Sequence, residues 1–162
     1  MKELLLQSAQ YNLWANRSII DTLLALPGNT AHKELNSSFP SIKDTALHSW
    51  SAEYIWLQRL QEVAEPLWIQ GMYVGLFKEI CNNWIKTSAQ LVDYVKQIDK
   101  NSLSDICTYK DRKGNAYTTP VWQILHHVFN HATYHRGQLV TMLREVGATQ
   151  IPGTDFIAFV RQ

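Results

Sequence analysis

Two cysteines in 162 residues are too few to staple a fold, and Cys81 and Cys107 follow no metal or redox spacing. Reduced, buried thiols are expected, as in a cytoplasmic protein. A long hydrophobic run is missing as well. Leu4, Leu5 and Leu6 are interrupted at once by Gln7 and Ser8, too soon for a signal-peptide core. No stretch approaches the roughly 18 apolar residues that a membrane span needs. Nor is there an excess of one charge: 15 Lys and Arg stand against 14 Asp and Glu, a formal net charge of +1 with no basic run. That leaves no electrostatic footprint for nucleic acid or an anionic membrane. With 46% hydrophobic and 18% charged residues, disorder is excluded too. The chain reads as one domain over residues 1–162, long enough to bury a core unaided.

What is present is helical periodicity, punctuated by glycine and proline. The first predicted helix runs from Lys2 to Leu26, with Leu6, Ala9, Leu13, Ile20 and Leu24 on one stripe and Pro27-Gly28 as its stop. Ser41 with Asp44 three residues on reads as a capping box opening the second helix. Its core stripe is Leu47, Trp50, Tyr54, Leu57 and Leu60, with His48 beside it and Pro66 marking its end. The third shows Leu76, Ile80, Trp84, Leu91, Val95 and Ile98. From Leu103 to Thr119 the period breaks. There, Ile106 to Tyr109 and Ala116 to Thr118 flank Asp111-Arg112-Lys113-Gly114-Asn115, predicting a short hairpin or an ordered loop. Thr119-Pro120 predicts the N-cap and first position of the fourth helix, and Gly147 its stop. The tail, with Phe156 and Phe159, is expected to pack back. The fold class is all-α: a four-helix bundle with a short hairpin or ordered loop before the last helix.

The chemistry sits on the fourth helix. His131 and His135 lie at i, i+4 on a stripe with Ile124, Val128, Leu139, Met142 and Val146, which faces the core. One buried imidazole is ordinarily a hydrogen-bonded core residue. Two in consecutive turns need separate acceptors or a shared ion, and leaving either unsatisfied costs roughly 1–3 kcal/mol. His127 continues the row, but it stands roughly 12 Å along the axis from His135 at 1.5 Å per residue, too far for both to reach one ion. His131 and His135 lie nearer the centre of the stripe. His48, on another predicted helix, completes a three-His set. Imidazoles suit zinc, nickel, iron or copper, and three ligands leave positions open for water or substrate. A bound water with its pKa lowered toward about 7, or a substrate thiol bound as thiolate, is the expected reactive group.

At these residues the sequence resembles a known family. Asn130-His131-Ala132-Thr133-Tyr134-His135-Arg136-Gly137-Gln138 is similar to the signature of the DinB family, the DinB/YfiT-like putative metalloenzymes. Tyr11-Asn12-Leu13-Trp14-Ala15-Asn16 resembles its first-helix motif. His48, followed by Tyr54 and Trp56, lies where the family has its first metal His. Gly114 before Thr119-Pro120 matches the loop entering the last helix, and Asp155 the tail motif. The resemblance implies a four-helix bundle with a divalent metal on His48, His131 and His135, commonly as a homodimer. It also implies thiol-dependent transferase or isomerase chemistry, with a low-molecular-weight thiol as possible cosubstrate.

His127 is a candidate acid/base beside the metal, or a residue that orients a ligand ring; a half-exposed interface residue is the equal alternative. Asp44 could accept the free N–H of His48, though helix capping explains it better. No Glu has the spacing to join the His cluster, so a His-Glu-x-x-His mechanism is not on offer. Arg136 and Gln138 point off the His stripe. Arg136 could hold a substrate carboxylate, but pairing with an acidic residue on a neighbouring helix is preferred. Gly137 suggests close approach of another backbone. The Trp residues are core and interface mass, and His32 is surface.

Two functions follow. One is a metal-dependent S-transferase or hydrolase acting on a small electrophile, with no nucleic-acid or membrane partner. The other is a non-catalytic, metal-stabilised dimeric bundle serving in stress response or binding. A cleft above about 300 Å³ over the three His favours the first.

Overall fold

The apolar periodicities become four long helices, α1 (Lys2–Leu24), α2 (Ile42–Leu60), α3 (Phe77–Gln97) and α4 (Val121–Glu145), in a computed structural model that describes residues 1–162. Between α3 and α4 lies an antiparallel hairpin, β1 (Ile106–Lys110) and β2 (Ala116–Pro120), paired from Ile106 opposite Pro120 to Lys110 opposite Ala116. A short α5 (Phe156–Val160) ends the chain. No helix is long and apolar enough to cross a membrane.

α1 and α2 each pack against both α3 and α4, so α1 and α2 lie diagonally across the bundle. Two apolar clusters fill it. One gathers Ile19, Leu23, Ile42, Trp50, Ile80, Trp84, Leu139 and Met142. The other gathers Leu5, Ala9, Leu57, Leu91, Val95, Ile124 and Val128. Between them, buried polar side chains from all four helices form a belt that includes Asn12, Asn16, Glu53, Ser88 and Arg136.

The helix ends follow their capping chemistry. Ser41 Oγ accepts the Asp44 backbone N–H at 3.1 Å, opening α2 as expected. At the end of α4, Gly147 takes φ +84°. Its N–H reaches Arg144 O at 3.0 Å and that of Ala148 reaches Leu143 O at 2.9 Å, a Schellman stop that a β-carbon would strain. The start of α4 is one position later than expected. Pro120 is still paired with Ile106 in the hairpin, so it occupies the N-cap and Val121 is the first helical residue.

Three expectations are corrected. The buried face of α1 runs through Leu5, Ala9, Asn12, Asn16, Ile19 and Leu23, while Leu24 is exposed. A stripe drawn through apolar residues alone passes over the two asparagines and so is rotated from the buried face. Leu76 is the N-cap of α3 and is exposed rather than core. A β-carbon at Gly137 would meet nothing within 4 Å, so no neighbouring backbone requires that glycine.

The tail does pack back. Phe156 and Phe159 meet the Tyr11 ring edge-on at 5.2 and 5.9 Å, and Tyr11 donates its hydroxyl proton to Thr154 O at 2.6 Å. Cys81 is buried and Cys107 partly so, both as free thiols. Burial pushes the Cys81 thiol up to about 12, so it stays protonated.

Candidate metal centre

α2 and α4 are neighbours, and their facing surfaces bring three imidazoles together. His131 Nε2 lies 3.0 Å from His135 Nε2 and 3.4 Å from His48 Nε2. All three ligating atoms fall within 4.8 Å of one another, and no carboxylate or thiol joins them. Nitrogens bonded at about 2.0–2.1 Å to one tetrahedral ion stand roughly 3.3–3.4 Å apart, so this spacing suits a shared cation.

The other ring nitrogens decide the tautomers. His48 Nδ1 donates to Gln70 Oε1 at 2.8 Å, and His135 Nδ1 donates to Gln138 Oε1 at 2.7 Å. With the proton fixed on Nδ1, each Nε2 presents a lone pair to the centre. Lone pairs aimed at one point repel unless something positive stands between them.

The rings are also held neutral, the form a metal requires. Burial pushes His131 down to about 3, helped by repulsion from His135, His48 and His127. Burial likewise lowers His135 and His48, against the raising influence of their glutamine acceptors. Phe39 stacks on His48 at 4.4 Å, and Trp68 meets it edge-on at 6.1 Å. The three rings therefore sit in an aromatic wall open on one side.

That side is a cleft of about 440 Å³, lined by His48 and His131 with Trp56, Trp68, Arg59 and Arg112 among others. His135, 5% exposed, lies behind them. A cavity of about 780 Å³ under the hairpin is larger, but no histidine lines it.

His127 is not brought into the cluster. Its ring packs 5.6 Å from that of His131 and edge-on at 5.4 Å against Trp56, with no ring-nitrogen contact to a ligand candidate. Partial burial of its ring, then His126, lowers its pKa. Asp44 caps α2 and leaves His48 to Gln70. His32 is exposed.

Arg136 and Gln138 depart from expectation. Gln138 points off the stripe at its Cα, yet at i+3 its side chain reaches back to His135 and donates from Nε2 to Ser38 Oγ at 2.8 Å. Arg136 is only 1% exposed and has no carboxylate in direct contact. Its Nη1 donates to Asn12 Oδ1 at 2.6 Å and Asn16 Oδ1 at 2.9 Å, and its Nη2 to Thr133 Oγ1 at 2.8 Å. The two asparagine amides pass the interaction on, donating from Nδ2 to Glu53 Oε1 at 2.9 and 2.8 Å. Trp84 Nε1 and Ser88 Oγ complete the shell of Glu53. A buried anion and a buried cation are thus joined through amides across the bundle centre, and this relay fixes the helix turn that carries His135. Sequence reading missed Glu53. The signal was there: Ala46, Trp50, Glu53, Leu57 and Leu60 step by four and three along the buried stripe of α2. Gln70 lies in a loop and left no such signal.

Known proteins agree with this architecture. The profile of the DinB family matches residues 1–161. The sequence is 30% identical over 155 residues to Protein DinB of Bacillus subtilis (strain 168), covering 91% of this chain and 88% of that one. Among solved structures, a DinB-like protein from Bacillus cereus ATCC 10987 superposes with a TM-score of 0.73 at 22% identity, over 93% of this chain and 95% of the other. At that identity the likeness shows the shared fold.

Proposed function

This chain belongs to the DinB family, and on that footing we propose that it is a metal-dependent enzyme whose divalent ion is held by His48, His131 and His135. The reaction we assign is S-transfer or hydrolysis on a small electrophilic substrate, with a low-molecular-weight thiol as cosubstrate in the first case. The carrying observation is the convergence of three neutral imidazoles, two with Nδ1 tied to a glutamine oxygen, at the floor of an open cleft. Imidazole ligands suit zinc, nickel or iron. When bound, such an ion supplies Lewis acidity, lowering the pKa of a thiol or water brought to it.

The protein's own groups do the rest. Gln70 and Gln138 hold two rings in the Nδ1–H tautomer, which leaves each Nε2 free as a ligand. Phe39 and Trp68 cover part of the His48 ring, which lowers the local polarity and strengthens any charge interaction there. To His127, outside the cluster with its ring 5.6 Å from that of His131, we assign the acid/base role. We also read the chain as a homodimer: Met72, Val74 and Leu76 are 67%, 100% and 70% exposed, apolar area that a second copy could cover.

The test is metal analysis of untagged protein by anomalous scattering at several absorption edges, then assay of the loaded protein with a panel of thiols and model electrophiles. Stoichiometric metal with thiol-dependent turnover supports the reading. Stoichiometric metal without turnover on any panel member leaves the alternative, a metal-stabilised non-catalytic bundle. Absence of metal affinity ends both.

A further inference from the structure

Three cations line the histidine cleft without a direct ion pair. Arg59, Arg112 and Lys113 line it together with a single carboxylate, Asp111. That carboxylate is already engaged in the hairpin turn. It accepts from the backbone N–H groups of Lys113 and Asn115, from Asn115 Nδ2 and from the Tyr117 hydroxyl. The protein's one ion pair joins Lys96 and Asp93, so none of the cleft cations belongs to one.

Two of these cations lie against aromatic rings. The Arg59 guanidinium lies in the corner formed by the Trp56 and Tyr109 rings, which meet edge-on, its Cζ 4.5 and 4.8 Å from their centroids. Its Nη2 donates to Lys110 O at 2.7 Å, and its buried Nε has no acceptor. Arg59 follows His48 by eleven residues on α2, close to three full turns, so both lie on one helix face. Arg112 sits with Cζ 5.3 Å from the centroid of Trp68, the ring that also packs against His48. Stacking holds a guanidinium in one plane, so little conformational freedom is lost when its N–H groups meet an anion. Three cations against one occupied carboxylate also give the cleft a positive field, which concentrates small anions.

We propose that the cleft takes an anionic small molecule, a carboxylate or phosphate, whose charge is held by Arg59 and Arg112 while its other end reaches the imidazoles of His48 and His131. This deepens the reading above, and it depends on that reading only for what happens at the imidazole end. An anion so placed is oriented along the α2 face, with Lys113 adding field.

Three thiols of similar length test it: 3-mercaptopropionate, 2-mercaptoethanol and cysteamine, titrated into zinc-loaded protein by calorimetry with metal content measured alongside. The anionic thiol is expected to bind about tenfold or more tighter than the neutral one, and the cationic thiol weakest, as a charge-assisted hydrogen bond implies. Arg59→Met and Arg112→Met should each bring the anionic-to-neutral ratio toward one, with metal content and neutral-thiol affinity unchanged. Arg112→Met keeps the test valid if Arg59→Met loosens the hairpin. Equal binding of all three thiols to the unaltered protein overturns the proposal, as does a ratio that survives both substitutions. If the protein takes up no zinc, the metal reading fails separately, and succinate and glycerol 3-phosphate are titrated into metal-free protein by tryptophan fluorescence. An Arg112-dependent response to succinate identifies a carboxylate site, and one to glycerol 3-phosphate a phosphate site. No response to either overturns the proposal.

Discussion

Gln138 Oε1 accepts a hydrogen bond from the Nδ1–H of His135 at 2.7 Å, from one helical turn further along α4. The glutamine is itself held by Ser38 at the loop before α2. One imidazole's tautomer is thus set by a side chain that bridges two parts of the chain about a hundred residues apart in sequence. The same device recurs at His48 with Gln70. On the proposed metal reading, affinity should therefore depend on these glutamines as well as on the histidines.

Gln138→Ala and Gln70→Ala should each weaken zinc binding by roughly 10–100-fold, the usual cost of losing a ligand's hydrogen-bond acceptor. Competition against a chelator of known affinity measures it. Unchanged affinity in both variants would show that the acceptors do not set the tautomers.

His131→Ala should lose the metal and lower the melting temperature of protein prepared with metal, because bound ligand stabilises the folded state by mass action. His127→Ala should keep its metal. Elemental analysis of the two purified proteins decides, and full occupancy in His131→Ala would sink the assignment.

The Glu53–asparagine–Arg136 relay predicts strong, coupled stability effects. Glu53→Ala and Arg136→Ala should each cost about 3–5 kcal/mol, because either leaves a buried charge uncompensated. The Arg136 Nε is already a buried donor without an acceptor, so there is no slack at that end. In a double-mutant cycle the second substitution should cost less than the first, with a coupling of roughly 0.5–3 kcal/mol. Additive losses in denaturant titrations would mean that the asparagines do not link the two charges.

Metal-free protein should lose stability as pH falls. The folded state holds His131 at about 3 against an ordinary value of 6.5, with His48, His127 and His135 lowered as well. Between those values the unfolded chain binds protons that the folded chain refuses, so stability is highest above about 6.5 and declines toward about 3. Urea midpoints across that window check the slope. His131→Phe, which removes the titrating group, should flatten it; a profile as steep as that of the unaltered protein would contradict this account.

Gly137→Ala should stabilise by about 1 kcal/mol, the helix-propensity difference, because the added β-carbon meets no neighbouring atom. Thermal unfolding reads it directly. Destabilisation would mean that the exposed face of α4 at Gly137 is covered in solution.

The sequence by itself determined the four helices and the pair of imidazoles on α4, and it narrowed the segment before α4 to a hairpin or an ordered loop. Each follows from local rules: apolar residues at steps of three and four, a turn at Gly114, a serine cap at Ser41, a glycine stop at Gly147. Local rules erred where polar residues face inward. Asn12, Asn16, Glu53 and Arg136 are individually costly to bury, so hydropathy places them outside and rotates the α1 stripe. Only the bundle brings their complementary groups together and makes burial tolerable. The position of His48 relative to His131 and His135 was likewise settled by the packing of α2 on α4, because no spacing along the chain encodes a contact between residues 83 apart. The two glutamine acceptors and the cationic cleft mouth belong to the same class. Periodicity reports which face of a helix is apolar, but which groups meet across two faces is decided by how the helices cross and where the loops return.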